Sequence, residues 1–150
     1  MHFITGGAFN GKRKWVRKTY PIRINEQWKS AYQNAPFPIK LREHQGEVLV
    51  LEGMEMWVKA LMKEYEPDHF RRIWKDCLNH WVLWERAEKN RQLVVIGTDI
   101  TKGIVPMEKE NRLWRDLTGW AFQDIAAIAD RVDVIWYGLN QTIKGGGMEK

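Results

Sequence analysis

HFITGGAFNGK, residues 2–12, begins as a short apolar run and breaks into glycines. The run His2–Thr5 predicts a buried first strand, and the glycine pair after it predicts a tight turn. Residues 12–20 can then form a helix, which Pro21 ends. Strand, glycine-rich turn and helix in this order indicate an α/β protein whose first loop lies at one edge of a sheet.

The spacing within this loop matches a phosphate-binding motif. Its outer glycines and its lysine follow the pattern G-x-x-x-x-G-K, in which backbone N–H groups surround phosphate oxygens and the lysine reaches the β and γ oxygens. The next helix points its positive end at the same place. An ordinary tight turn is the alternative to the nucleotide-binding loop that we predict, which is formed by Gly6, Gly7, Ala8, Phe9, Asn10, Gly11, Lys12 and Arg13.

Arg13 is a departure from that motif. The residue after the lysine is normally Ser or Thr, whose hydroxyl coordinates Mg²⁺. A guanidinium has only donors and cannot bind a cation. Either Mg²⁺ is held by other groups, or the loop binds phosphate without supporting efficient transfer, so we predict no metal-ligating residue.

The rest of the chain alternates strands with helices. Residues 47–53 and 92–97 are apolar runs typical of buried parallel strands, and residues 132–137 form a further strand. Residues 22–41 have no clean period and are interpreted as irregular, with a helical turn near Glu26–Tyr32. A mostly parallel sheet flanked by helices is therefore expected, in one nucleotide-binding domain over residues 1–144 with a disordered tail at 145–150.

Two predicted helices carry apolar stripes at helical spacing. The helix that Pro67 begins has a stripe that we interpret as core and not as a cofactor site: Phe70, Trp74, Cys77, Trp81 and Trp84. The helix near residues 107–130 has an inner face made of Leu113, Leu117, Trp120, Ala121, Ile125 and Ile128.

The positive charge is concentrated near the loop. The whole chain carries a net charge of +5, whereas nine basic and two acidic side chains give residues 1–45 a net charge of +7. Such a field attracts a polyanion such as a nucleoside triphosphate. Binding of nucleic acid through residues 12–18 and Trp15 is a weaker alternative, because it leaves the loop spacing unexplained.

The composition limits the cellular compartment in which the protein is expected. A single cysteine, Cys77, excludes an internal disulfide framework. No apolar run reaches the roughly 18 residues that a membrane span needs. The first residues lead into the glycine loop and do not form a signal peptide. We therefore expect a cytoplasmic protein without a membrane span.

Glu52 is the acidic residue expected beside the phosphates, because it closes the apolar strand before Gly53. Such a carboxylate could hold a magnesium-bound water or accept a proton from an attacking hydroxyl, so Glu52 and Lys12 are the predicted catalytic residues. A solvent-exposed acid at a strand end is the alternative. Glu55 and Asp99 are weaker candidates, and the four histidines show no metal-ligand spacing.

Several segments together resemble one known family. They are residues 4–8 with Gly11-Lys12, the strand 48–53 followed by Trp57, the segment GIVP at 103–106, Arg115-Asp116, and residues 129–132 leading into Gly138-Leu139. In this order they are similar to the bifunctional adenosylcobinamide kinase and adenosylcobinamide-phosphate guanylyltransferase family of cobalamin biosynthesis.

The resemblance implies a RecA-like P-loop NTPase fold and a homo-oligomer. It implies phosphorylation of adenosylcobinamide by ATP or GTP, with Mg²⁺ where groups other than position 13 hold it, and then GMP transfer through a guanylylated histidine. The departures lie within residues 13–46: the Mg²⁺-binding hydroxyl is missing, and His44 lacks the Arg-Pro pair that follows the family's histidine. A degenerate paralogue that binds a nucleotide or corrinoid without catalysis is the alternative.

Overall fold

The computed structural model describes residues 1–41 and 46–145. The strands are β1 His2–Gly6, β2 Trp28–Ser30, β3 Val48–Glu52, β4 Gln92–Thr98, β5 Arg131–Trp136 and β6 Leu139–Lys144. The α-helices are α1 Lys12–Thr19, α2 Met54–Met62, α3 Pro67–Ala87 and α4 Lys109–Ile128, and short 3-10 helices cover Asn25–Gln27 and Ala31–Gln33.

The six strands form one sheet in the order β2-β3-β4-β1-β5-β6. All neighbours pair in parallel except β5 and β6, which form an antiparallel hairpin. Strand β4 separates β1, which leads into the glycine loop, from β3, which ends at Glu52. The predicted α/β class with a mostly parallel sheet flanked by helices is confirmed. The carboxyl ends of β1, β3 and β4 therefore meet at one edge, where ligands bind in such sheets.

Side-chain alternation along the strands divides the core into two layers. The side of Leu49, Leu51 and Leu93 packs against helices α2, α3 and α4. The opposite side, which includes Ile4 and Val50, packs against Val16 of α1. Helix α1 thus covers the sheet directly after the glycine loop, so the position of the loop is fixed by a packed helix.

The aromatic stripe predicted for α3 is confirmed as core, since all five of its side chains are buried. The inner face predicted for α4 is wrong at Trp120, which is 41% exposed. The guanidinium carbon of Arg71 lies 4.8 Å from the Trp120 ring centroid, so this side chain packs at the surface against a cation. Helix α4 is also one turn shorter than predicted, because it begins at Lys109 and ends at Ile128.

The structure has a strand, β2, within residues 22–41, which were predicted to be irregular. The helical turn expected near Glu26–Tyr32 is two separate 3-10 turns with β2 between them. Strand β2 has only three residues and pairs in parallel with β3, with Ser30 opposite Glu52. Three residues are too few to show a period, which is why the pattern failed there. The tail predicted at 145–150 lies outside the described residues beyond Gly145.

Candidate phosphate-binding site

Two glycines at the ends of the loop adopt backbone angles that favour glycine. Gly6 has φ 138°, and a Cβ there would lie 2.4 Å from the carbonyl oxygen of Ile135. Gly11 has φ 90° and is the N-cap residue of α1. The first glycine allows β1 to turn beside β5, and the second lets the chain enter α1 from the left-handed region. The spacing of the motif therefore has a local backbone cause.

Neighbouring segments hold the loop between these glycines. The N–H of Gly138, in the β5–β6 turn, donates to the carbonyl of Asn10 at 2.8 Å. The N–H of Asp99 donates to the carbonyl of Gly6 at 2.9 Å, and the Asp99 carboxylate accepts from the Thr101 N–H at 2.8 Å. Asp99 therefore closes its own turn beside the loop, while Phe9 at the loop tip is fully exposed.

Lys12 folds back over its own loop. Its Nζ donates to the carbonyl of Gly7 at 2.7 Å and to that of Gly6 at 3.3 Å, and the residue is 8% exposed. Burial lowers the pKa of Lys12, and the nearby carboxylates of Glu55 and Glu52 oppose this shift. The ammonium thus lies on the inner side of the loop, where the motif places the β and γ phosphate oxygens.

Arg13 and Glu52 form a bidentate ion pair. The Arg13 Nε donates to Oε2 at 2.9 Å and Nη2 donates to Oε1 at 2.6 Å. The Glu52 side chain is 6% exposed, whereas that of Arg13 is 46% exposed. The arginine that replaces the metal-binding hydroxyl therefore binds the acid that was expected to face the metal. The two positions are 39 residues apart, and spacing along the sequence gives no signal of their contact.

Trp28 completes the surroundings of Glu52. Its indole Nε1 donates to Oε1 at 3.0 Å, and β2 brings it there by pairing with β3. Burial would raise the pKa of Glu52, but hydrogen bonds from Arg13, Trp28 and Ser30 outweigh burial and lower the pKa. Glu52 is therefore an ionised carboxylate with both oxygens in use. Sequence reasoning missed Trp28 and Ser30 because it did not recognise β2.

Glu55 and Tyr32 line one cleft together with Lys12, Arg13 and Glu52. Glu55 is 3% exposed, and its carboxylate accepts from the Thr98 N–H at 2.8 Å and from the Tyr32 hydroxyl. Burial raises the pKa of Tyr32, so the phenol remains a donor. The cleft has a volume of about 770 Å³ and is lined by Ala8, Phe9, Gly11, Lys12, Arg13, Lys14, Tyr32, Glu52, Glu55, Ile96 and Thr98. A volume of several hundred Å³ suits a nucleotide-sized ligand.

The order of the elements and this cleft can be compared with known proteins. The sequence matches the model of the cobinamide kinase / cobinamide phosphate guanyltransferase family over residues 18–143. The chain belongs to this family. The match begins after the glycine loop, so the loop geometry and the family match are separate observations. No curated protein matches the chain.

The family sets the general chemistry. It acts in cobalamin biosynthesis, and its members use nucleoside triphosphates and cobinamide substrates. Within residues 1–41 and 46–145, no helix is both long and apolar enough to cross a membrane. His44 lies outside the described residues. Of the other histidines, His2 is buried between Tyr20 and Asp133, and His69 and His80 are exposed on α3.

Proposed function

We propose that the chain binds GTP or ATP on the loop Gly6–Lys12 and acts, in the cytoplasm, as a cobinamide kinase and cobinamide-phosphate guanylyltransferase. The observation that carries the proposal is the position of Lys12. This lysine is buried against the carbonyls of its own loop, at the start of α1, and it lines the cleft. Family membership supports the pathway, and the loop supports the nucleotide.

The kinase half of the proposal relies on charge stabilisation. Lys12 and the loop N–H groups would stabilise the charge on the transferred phosphoryl group, which is the main requirement of phosphoryl transfer. Glu52 would act on the attacking hydroxyl only after its ion pair with Arg13 opens, because both carboxylate oxygens accept hydrogen bonds. The second substrate in this proposal is adenosylcobinamide, as for other members of the family.

The guanylyltransferase half has less support. None of the described histidines lines the cleft around Lys12. The alternative of a non-catalytic paralogue that binds a nucleotide or a corrinoid is favoured by one observation, the replacement of the magnesium-binding hydroxyl by Arg13. Incubation with α-labelled GTP separates the two, since only a guanylyltransferase yields an acid-labile protein adduct. An adduct that survives His44→Ala would clear His44 of this role.

A homo-oligomer is also part of the proposal. Apolar side chains are exposed on two segments near the loop edge of the sheet: Ile104, Val105 and Met107 on one, and Trp136, Tyr137 and Leu139 on the other. Large exposed apolar patches often mark interfaces. Analytical ultracentrifugation should give a mass above that of the 17.8 kDa chain. A monomer at all concentrations would contradict this part alone.

Isothermal titration with GTP and with ATP tests the nucleotide site. Lys12→Ala removes a charge-assisted hydrogen bond and should weaken binding by about 10- to 100-fold. Lys18→Ala is the matched control, because Lys18 is exposed on the same helix and lies outside the cleft. Equal affinities for Lys12→Ala and the wild type would refute the assignment of phosphate binding to this loop.

A further inference from the structure

The side chains of the cleft do not suit the magnesium ion that P-loop enzymes use with their nucleotide. Such enzymes hold Mg²⁺ with the hydroxyl after the lysine and with an acid on a neighbouring strand. Position 13 supplies a guanidinium, and both oxygens of Glu52 accept hydrogen bonds from Arg13. Both oxygens of Glu55 are taken by the Thr98 N–H and the Tyr32 hydroxyl. In the described ranges, no cluster of three or more His, Cys, Asp or Glu side chains could hold a metal.

Arg13 is held in a way that leaves part of its guanidinium free. Of its five N–H donors, the one on Nε and one on Nη2 point at Glu52, so three donors remain. The side chain is 46% exposed and lines the same cleft as Lys12. Three donors on a fixed plane match the oxygens of a phosphate group.

Glu52 fixes the direction of these donors. It is nearly buried, and the Trp28 indole holds the oxygen that Nη2 contacts. The guanidinium carbon of Arg13 also lies 5.9 Å from the Trp28 ring centroid. The hydrogen bond with Glu52 raises the pKa of Arg13, so both partners of the pair are charged. While this ion pair is closed, Glu52 is therefore a positioning residue, and the group that faces the ligand is Arg13.

We propose that Arg13, positioned by Glu52, takes the place of the divalent cation, so that this site binds a nucleoside triphosphate free of metal. This inference rests on the proposed nucleotide site and adds its substrate form. The guanidinium contributes one fixed positive charge beside that of Lys12, and it needs no dehydrated ion. Affinity for the nucleotide should therefore be at least as high without Mg²⁺ as with it.

The test is titration of the intact protein with GTP and with ATP, once in excess EDTA and once in millimolar MgCl₂. The wild type should bind at least as tightly in EDTA as in MgCl₂, because Mg²⁺ complexes the nucleotide and depletes its metal-free form. Arg13→Ser restores the hydroxyl of the motif, so it should lose about tenfold or more in EDTA and recover affinity in MgCl₂. Arg17→Ser is the control for the loss of a positive charge. The guanidinium carbon of Arg17 also lies near Trp28, 4.4 Å from its ring centroid, but Arg17 does not line the cleft. Arg17→Ser should leave the difference between the two buffers unchanged.

The outcomes distinguish this inference from the function on which it rests. Binding in neither buffer would refute the nucleotide site itself. Wild-type binding that needs MgCl₂ would refute only the metal-free site, whether or not Arg13→Ser folds. The positioning role of Glu52 is tested by introducing Glu52→Gln into the wild type and into Arg13→Ser and measuring nucleotide affinity in EDTA. The loss of affinity caused by Glu52→Gln should differ severalfold between these two proteins. Equal losses would show that Glu52 does not act through Arg13.

Discussion

Asp133 offers a test of how strands β1, β5 and β6 are held together. It is fully buried on β5, and four side chains donate to it. Oδ2 accepts from His2 Nε2 at 2.5 Å and from Arg131 Nε at 2.7 Å. Oδ1 accepts from Thr142 Oγ1 at 2.6 Å and from Asn140 Nδ2 at 3.1 Å. The carboxylate thus joins β1, β5 and β6 at one point, and Asp133→Asn is the perturbation of choice.

Two estimates of the cost agree. Burial would raise the pKa of Asp133, but the hydrogen bonds from Thr142, Asn140, His2 and Arg131 outweigh it and lower the pKa from 3.8 to about 2. That shift favours the ionised form by about 2 kcal/mol over a neutral one. In Asp133→Asn, the remaining hydrogen bonds are no longer made to a charged acceptor, and the amide N–H₂ group faces side chains that are themselves donors. Both changes together cost about 1 to 3 kcal/mol of stability. Asp133→Asn should therefore lower the free energy of unfolding by about 2 kcal/mol.

Urea denaturation at neutral pH, followed by tryptophan fluorescence, measures this loss. Asp76→Asn is the matched control, because Asp76 is exposed on α3, and it should change the free energy of unfolding by less than about 0.5 kcal/mol. If Asp133→Asn costs no more than Asp76→Asn, the carboxylate does not organise these strands and the reasoning fails.

Three further outcomes follow from the core. Trp74→Ala leaves a cavity at a fully buried position and should lower the free energy of unfolding by about 3 to 5 kcal/mol. Trp120→Ala, at the surface, should lower it by less than about 1 kcal/mol. Similar losses for the two variants in urea denaturation would contradict the difference in burial between these tryptophans. Gly97→Ala would place a Cβ 2.4 Å from the Phe122 ring and should cost about 1 to 3 kcal/mol, and Phe122→Leu should relieve part of it. Burial lowers the pKa of His2 from 6.5, so its contribution to stability is present above pH 6.5 and is lost as the pH falls through the lowered value. His2→Gln should therefore lose less stability than the wild type as the pH falls below 6.5, as measured by urea denaturation at several pH values. An unchanged dependence of the free energy of unfolding on pH would refute this role of His2.

The parts of the fold that the sequence predicted are those that repeat a period or a motif. The stripe on α3 has five members at helical spacing, and the strand before Glu52 is an unbroken apolar run. The glycine loop was recognisable because glycines and a lysine stand at fixed offsets. Strand β6 shows the limit: all six of its residues are exposed, so no burial pattern marks it.

The candidate site was predictable only as far as local pattern reaches. Lys12 is predicted by the spacing of the glycine motif, and Glu52 by its position at the end of a strand. The sequence also showed that Arg13 could not bind Mg²⁺, but not what it binds instead, since that depends on how β3 and α1 meet at the edge of the sheet. Trp28 was out of reach for the same reason, because β2 is ordered by its pairing with β3 and not by its own residues.

Hydrogen bonds from two neighbouring segments fix the glycine loop and the first turn of α1. The β5–β6 turn holds Asn10 through Gly138, and Glu52 holds Arg13 at the first turn of α1. The hairpin that carries Gly138 is in turn fixed to β1 by Asp133 and His2. A loop ordered before its ligand arrives pays less entropy on binding. Loosening the hairpin should therefore weaken nucleotide affinity in a protein that is still folded, and Asp133→Asn should do so although its side chain lies outside the cleft. Unchanged affinity in that variant would mean that the hairpin stabilises the sheet but does not preorganise the loop.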